Sequence, residues 1–273
     1  MPLRITPGTD LANAARQLRD RVTELRNTSP QGTEAIAHVS HVVSAERTLW
    51  QFFPDREVWE GLRSETFWRI WEDREDREAP DIYRLLSREV EVQTAYLESL
   101  IAQLDTLAAR LTAAPGRVAV LDSNVLLHFQ PPEQVKWQEV VGQPQVRLVI
   151  PLRVIEELDE KKYTARDDLA GRSRDLLGRL RAQLAPTGGG PVQLNEGNSD
   201  VTIETFVDSG PRRRTLDADE EVLETCETFA LGEQTVVLVT DDAGITIRAG
   251  TRGIEAVRMP PEYLRRRLTS EDH

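Results

Sequence analysis

Apolar residues recur at intervals of three and four through the first 112 residues, and no convincing strand interrupts them. The clearest run extends from Asp81 to Leu111 and predicts one helix of about nine turns. Shorter helices are predicted at 10–27 and 34–52. The apolar face of the long helix is a stripe made of Ile82, Leu85, Leu86, Val90, Leu97, Leu100, Ile101, Leu104, Leu107 and Leu111. Because an exposed stripe of this size favours association, we expect the rest of the chain or a second copy to cover it.

Four tryptophans of this region, Trp50, Trp59, Trp68 and Trp71, lie around the charged stretch WEDREDREAPD. Exposed aromatic side chains can stack on nucleic-acid bases, but large aromatic side chains more often fill a core. We therefore expect these tryptophans to pack inside a small helical domain and the charged stretch to form a solvated turn.

The pattern changes after TAAPGR, residues 112–117, whose proline and glycine end the long helix. Short apolar runs then alternate with amphipathic stretches, which is typical of βαβ units and a parallel sheet. The predicted strands are 118–121, 147–150, 201–206, 236–239 and, more weakly, 254–257, and the predicted helices are 152–163, 168–184 and 217–231. Residues 184–200 are expected to form a loop or flexible insertion. The sequence thus predicts an all-α domain at 1–113 followed by an α/β domain at 117–268.

Composition narrows the classes of protein further. No apolar run approaches the roughly 20 residues of a membrane span, and the first residues lack the charged-then-apolar order of a secretory signal. The single cysteine, Cys226, cannot form an internal disulfide. We therefore expect a cytoplasmic protein without a membrane partner. The net charge of −12 argues against a broad basic surface that coats nucleic acid, but it allows a local basic groove.

Acidic residues follow the predicted strands. The acidic groups are Asp122 after the first strand, Glu156, Glu157 and Asp159 in the helix after the second, Asp241 and Asp242 after the strand TVVLVT, and Asp217, Asp219 and Glu220 at the start of the helix before that strand. Because the carboxyl ends of parallel strands share one edge of a sheet, these groups are expected to converge there.

Each acidic group alone could simply cap a helix N-terminus. Four groups at one edge would instead repel one another and lose hydration, and a bound divalent cation is the usual compensation. Oxygen ligands favour Mg²⁺ or Mn²⁺ over zinc, and the lone cysteine and four scattered histidines offer no competing site. The sequence therefore predicts a magnesium or manganese site.

Four stretches resemble the motifs of the PIN-domain family of metal-dependent nucleases. VLDSNVLLH is similar to the opening strand and aspartate, with Ser123 where threonine is usual, and VIPLRVIEELDEKK is similar to the second strand and its glutamate-bearing helix, matching Glu157. DADEEVLETC resembles the looser third motif and matches Asp219, although Asp217 or Glu220 could take its place. VVLVTDDAGITIRAGTRGIEA resembles the last motif and matches Asp242. The resemblance covers about 117–260 and leaves the first 112 residues unexplained.

The resemblance implies a PIN-like three-layer α/β/α domain with a central parallel sheet, and hydrolysis of phosphodiester bonds, usually in RNA, with metal-activated water. It implies that Mg²⁺ or Mn²⁺ is held by Asp122, Glu157, Asp219 and Asp242, with Asp241 as a neighbour. Ser123 or Asn124 would orient a metal ligand or a substrate phosphate. The cations expected to contact backbone phosphates are Lys161, Lys162, Arg166 and Arg172, although an ordinary solvent-facing role fits them equally well.

The expected function is thus a metal-dependent endoribonuclease with RNA as partner and the helical domain as a site of packing or self-association. A catalytically inactive PIN-like module that binds RNA or protein is the main alternative, and the acidic net charge mildly favours it. Phosphotransfer through an aspartyl phosphate is disfavoured because that chemistry needs a second aspartate two residues after the first, where the chain has Asn124. A toxin of a toxin–antitoxin pair would be a subtype of the expected endoribonuclease.

Overall fold

The computed structural model describes residues 4–27, 34–73, 82–165, 167–206, 218–232 and 235–265. The chain divides into two compact units, with the boundary between Arg110 and Leu111. Within the described ranges, no helix is both long enough and apolar enough to cross a membrane.

The described secondary structure of the N-terminal unit is helical, as the sequence predicts. The helices are α1 (Leu11–Arg26), α2 (Glu34–Phe52), α3 (Arg56–Glu60), α4 (Glu65–Asp73) and α5 (Ile82–Leu111). Asp10 precedes α1 and accepts a hydrogen bond from the backbone N–H of Asn13, so it caps that helix. The start of the charged stretch belongs to α4, and residues 74–81 lie outside the described ranges.

The apolar stripe of α5 is largely buried, but its middle is polar. Its buried apolar members are Leu86, Leu97, Leu100, Ile101, Leu104 and Leu111. Between the first two, Glu89, Gln93 and Thr94 are buried as well. The Glu89 carboxylate accepts hydrogen bonds from the Ser64 hydroxyl at 2.8 Å and the Gln93 amide at 3.0 Å. Burial raises the pKa of Glu89, and these two hydrogen bonds partly oppose that effect.

The expectation that the tryptophans fill a core is wrong for most of them. Trp50, Trp68 and Trp71 expose 69%, 46% and 36% of their surface. The inward positions of α4 are taken instead by Phe67 and Ile70, and the rings of Trp68 and Trp71 lie against Phe67.

The C-terminal unit is built on a mostly parallel sheet with the order β3-β4-β2-β1-β5-β6, which confirms the predicted fold class. Its elements are β1 (Arg117–Leu121), α6 (Ser123–His128), α7 (Trp137–Val141), β2 (Val146–Pro151), α8 (Leu152–Thr164), α9 (Asp167–Leu184), β3 (Val192–Asn195), β4 (Asn198–Phe206), α10 (Ala218–Ala230), β5 (Val236–Val239), α11 (Ala243–Thr251) and β6 (Glu255–Val257).

Strand β1 lies at the centre of the sheet, where it pairs in parallel with β2 on one side and β5 on the other. Its residues 118–121 are fully buried, as expected for an uninterrupted apolar strand covered on both faces. Leu121 pairs with Val239, so the chain segments that follow β1 and β5 leave the sheet side by side.

The segment 184–200 is more ordered than predicted. It contains β3 and the first residues of β4, which pair as an antiparallel hairpin, whereas a loop was expected. The turn of the hairpin contains Gly197, whose φ of +80° is readily adopted by glycine. Only Val192 and Leu194 alternate in β3, and this run is too short for the period of a strand to stand out.

A buried ion pair joins β2 to β4. Arg147 and Glu204 are both fully buried, and Arg147 also donates to the backbone carbonyl of Leu111 at the end of α5. The guanidinium lies 5.1 Å from the ring centre of Phe229 on α10. One turn earlier on α10, Cys226 is buried, and burial raises the pKa of its thiol to about 12.

Candidate active site

Asp122 lies directly after β1 and exposes only 6% of its surface. One carboxylate oxygen accepts a hydrogen bond of 2.9 Å from the hydroxyl of Thr240. The residue occupies the N-cap position of α6, but its side chain makes no capping hydrogen bond there. Among the described residues, no lysine or arginine forms an ion pair with it. Asp122 is therefore a buried carboxylate with a single neutral donor, which is an unfavourable environment for an anion.

Thr240 connects the ends of β1 and β5. It is fully buried, donates to Asp122, and accepts a hydrogen bond of 3.1 Å from the backbone N–H of Asp242. Thr240 was not predicted from the sequence as a site residue, because its place just before the two aspartates was the only indication of such a role. Thr240 fixes the orientation of the Asp122 carboxylate relative to the Asp241–Asp242 backbone.

Asp242 caps helix α11. Its Oδ1 accepts hydrogen bonds from the backbone N–H groups of Gly244 at 2.6 Å and Ile245 at 3.3 Å. The capping interpretation considered for each acidic group is therefore correct for Asp242, and it does not exclude a further role, because both bonds use the same oxygen.

Helix α8 places a glutamate and a lysine near the end of β1. The Lys161 amine donates to the hydroxyl of the buried Ser123 at 3.4 Å. Glu157 lies one turn before Lys161, on the same face of α8, and is half-buried. Its carboxylate forms no hydrogen bond or ion pair with another described residue. The face of α8 that approaches Ser123 thus carries a carboxylate that forms no ion pair with a described residue.

The third acidic motif is already neutralised within the chain. Asp219 on α10 forms an ion pair with Arg248 on α11, and the alternative Glu220 pairs with Arg252 one turn further along α11. The other alternative, Asp217, lies outside the described residues.

The structure separates the cations that were predicted to contact phosphate. Arg172 lines the same cleft as the two final aspartates. Lys162 instead donates to Asp159 and lines a different groove between α8 and α9. Arg166 lies outside the described residues.

The cleft beside the strand ends has a volume of about 590 Å³. Its polar lining residues are Asn124, His128, Asp168, Arg172, Asp241, Asp242 and Arg265. Sequence reasoning missed His128 and Arg265. They meet because Phe129 forms a β-bridge with Leu264 and the Arg265 backbone N–H donates to the His128 carbonyl at 2.9 Å. No pattern in the local sequence predicts a contact between residues so far apart in the chain.

The donor chemistry of the site suits a hard divalent cation only in part. Asp122 fits, because a cation would compensate a buried carboxylate that has one neutral donor. Within the described ranges, however, no three acidic, histidine or cysteine side chains come together as a group that could hold a metal ion. Asp219, one of the expected metal ligands, is instead paired with Arg248.

The comparisons with known proteins agree with the sequence motifs. The sequence profile of the PIN domain matches residues 119–260, more than half of the chain. Among solved structures, a domain of a functionally unknown protein from Methanocaldococcus jannaschii DSM 2661 is 14% identical with a TM-score of 0.36, over 57% of this chain and all of that one. The tetrameric eIF2B-beta2-delta2 complex from C. thermophilum is 12% identical with a TM-score of 0.23, over 94% of this chain and 82% of that one. Neither similarity is strong enough to bear on function, and no curated protein matches. Because the profile spans the four acidic motifs and the sheet that carries them, the chain belongs to the PIN domain family.

Proposed function

We propose that this protein is a metal-dependent nuclease that hydrolyses RNA at the carboxyl ends of β1 and β5. PIN domains are generally nucleases. The observation that carries the proposal is Asp122, a buried carboxylate whose only described partner is a hydroxyl group. A buried charge without a compensating partner is unfavourable, and a divalent cation would compensate it.

Asp122, Glu157, Asp219 and Asp242, with Asp241 as a neighbour, would hold Mg²⁺ or Mn²⁺, some of them through water, since no three of them come together as a group within the described ranges. Bound there, a divalent cation would supply a nucleophile from water at neutral pH and would neutralise charge on the phosphate. Thr240 keeps the Asp122 carboxylate in a fixed orientation. Ser123, paired with Lys161, and Asn124 in the cleft are placed to orient the substrate phosphate.

The test is cleavage of end-labelled single-stranded and structured RNAs by the purified full chain with Mg²⁺, Mn²⁺ or chelator. Wild type should cleave only with metal, and Asp122→Asn should lower the rate by about 100-fold or more because a charge needed by the cation is lost. Asp159→Asn is the matched control. It removes one carboxylate from the exposed side of α8, where Asp159 pairs with Lys162, and should leave the rate unchanged.

Thermal unfolding provides a readout that does not depend on catalysis. At a concentration one hundred times its Kd, a bound ion stabilises the folded state by about 2.7 kcal/mol, which raises the Tm of a domain this size by several degrees, at roughly 2–4 °C per kcal/mol. Asp122→Asn should melt at or above wild type in chelator and gain little from metal. A wild type that neither cleaves RNA nor gains Tm with either metal contradicts the proposal.

The inactive binding module is the second candidate. The observation that favours it is the ion pair between Asp219 and Arg248, which satisfies one expected metal ligand inside the chain. RNA binding that is unaffected by chelator, without cleavage under any metal condition, would support this alternative.

A further inference from the structure

We propose that Arg265 and Arg172 form a binding site for a backbone phosphate of single-stranded RNA, distinct from the carboxylates assigned to the metal. This inference rests on the proposed nuclease function and extends it, because it states how the strand would be held beside the bond that is cleaved.

Arg265 is a half-buried cation without a counter-ion. Its guanidinium forms no hydrogen bond or ion pair with any described residue, although it lines the cleft that also contains Asp241 and Asp242. Burial lowers the pKa of Arg265, and the nearby Arg172 and Arg179 lower it further, against smaller opposite effects of Asp175 and Glu133. An arginine keeps its charge even so. An anion placed here would therefore remove both the repulsion and the unmatched donors.

The side chain of Arg172 and the backbone of Arg265 are held in position before any ligand arrives. Arg172 exposes 14% of its side chain, donates to the Leu127 carbonyl at 3.3 Å and lies 3.9 Å from the Asp168 carboxylate. The backbone of Arg265 is fixed by its hydrogen bond to His128 and by the adjacent bridge between Phe129 and Leu264. Binding an anion thus requires ordering of the Arg265 side chain but not of the backbone that carries it, which limits the entropic cost.

The chemistry of the cleft favours a phosphodiester strand. Guanidinium groups bind phosphate oxygens through two parallel hydrogen bonds. The cleft is lined by both arginines and by the carboxylates of Asp168, Asp241 and Asp242, and its volume of about 590 Å³ suits a ligand of about one or two nucleotides. A nucleic-acid strand has a phosphate at every nucleotide, so one phosphate can lie at the cation assigned to the carboxylates while its neighbour lies at the arginines.

The test measures binding by the full chain to a fluorescently labelled single-stranded oligouridylate in chelator, so that no cleavage occurs. Arg265→Gln and Arg172→Gln should each weaken binding by about tenfold and reduce the slope of log K against log salt by about 0.7, the value for one phosphate contact on a single strand. The matched control is Arg181→Gln, an exposed arginine of α9 that lines the other groove and should change neither quantity.

Folding is checked by Tm, which should be equal to or above that of wild type in Arg265→Gln because the variant removes a charge that Arg172 and Arg179 repel. If Arg265→Gln matches Arg181→Gln in both affinity and salt slope, the proposal is overturned. Polyglutamate that displaces the oligonucleotide as well as unlabelled oligouridylate does would assign the arginines to an acidic protein partner instead. Full displacement by low millimolar inorganic phosphate would assign them to a free phosphate ligand.

The two proposals fail separately. A wild type that binds RNA through Arg265 and never cleaves it would contradict the nuclease proposal and leave the phosphate site standing. Metal-dependent cleavage together with RNA binding that ignores Arg265→Gln and Arg172→Gln would contradict the phosphate site alone.

Discussion

His38 on α2 is fully buried, and neither of its ring nitrogens has a hydrogen-bond partner among the described residues. Burial, and to a smaller extent the charge of His41, lowers the pKa of His38 to about 4. In the unfolded chain its pKa returns to about 6.5. The folded protein therefore holds this histidine neutral over a pH range in which the unfolded chain takes up a proton.

We expect the helical unit to lose stability as the pH falls from about 6.5 to about 4, because only the unfolded state gains a proton there. The loss attributable to His38 is roughly 3 kcal/mol, and it stops near pH 4, below which both states bind the proton. Denaturant unfolding followed by tryptophan emission measures it, because four of the five tryptophans belong to this unit.

His38→Leu is the matched variant, since it keeps most of the volume and removes the titrating group. Its unfolding free energy should be at least that of wild type at pH 7, because two unpaired nitrogens are gone, and should change less between pH 6.5 and 4. Glu89, whose raised pKa acts in the opposite sense, titrates in both proteins and cancels in the difference. Parallel pH profiles for the two proteins would contradict the lowered pKa, because they would show that His38 takes up its proton over the same pH range in the folded and unfolded states.

At the scale of single residues, the positions of the acidic side chains could be predicted because these residues follow strand ends. Their contacts with other residues could not be predicted. Asp122 follows an apolar strand, so its location at the edge of the sheet could be read from the pattern. Its bond to Thr240 depends on the register between β1 and β5, and Arg265 reaches the cleft through a bridge to a distant segment. Local sequence does not encode either contact.

Among the elements, α10 is joined to α11 and its C-cap residue by three ion pairs of the described residues. Arg248 pairs with Asp219, and Arg252, one turn later, pairs with Glu220 and Glu227. If Asp219 is a metal ligand, the cation must compete with Arg248 for its carboxylate. Both side chains are partly exposed, so their pairing is worth no more than about 1 kcal/mol.

Arg248→Gln should therefore bind Mn²⁺ about two- to fivefold more tightly than wild type, as measured by isothermal titration calorimetry. Arg252→Gln provides the control, because it removes the same charge from the same helix without releasing Asp219. Equal affinities in wild type and Arg248→Gln would mean that Asp219 does not contact the ion.

The strands of the sheet differed in how far they could be predicted. Residues 118–121 of β1, 148–150 of β2 and 236–239 of β5 are continuous apolar runs, as expected for strands covered on both faces, and this makes them easy to recognise. The hairpin strand β3 has too few alternating residues. Arg147 is an arginine inside an apolar strand, and its partners include Glu204 on β4 and the carbonyl of Leu111, which the local sequence does not indicate.

At the scale of the whole molecule, neither the motifs that resemble the PIN-domain family nor the matching sequence profile extends into the helical unit. The sequence predicted that this unit is helical, since its period is clear over many turns, and the structure confirms it. The exposure of Trp50 and Trp68 was missed because burial was inferred from the size of the side chain, whereas each tryptophan lies beside a buried apolar residue of its helix, Leu49 or Phe67. Self-association through the stripe of α5 stays a prediction.

The buried thiol of Cys226 can report how often the α/β unit opens. The chain contains one cysteine, and in the folded state its thiol is fully enclosed and held in the unreactive protonated form. A disulfide reagent such as dithionitrobenzoate can modify it only when the α/β unit opens. At pH 8 we expect modification at least about 1000-fold slower than in the denatured chain, and slower still with saturating Mn²⁺. Modification within seconds in native buffer would contradict the enclosure. Otherwise, the colour released over hours measures the rate at which the α/β domain opens, with no label added to the chain.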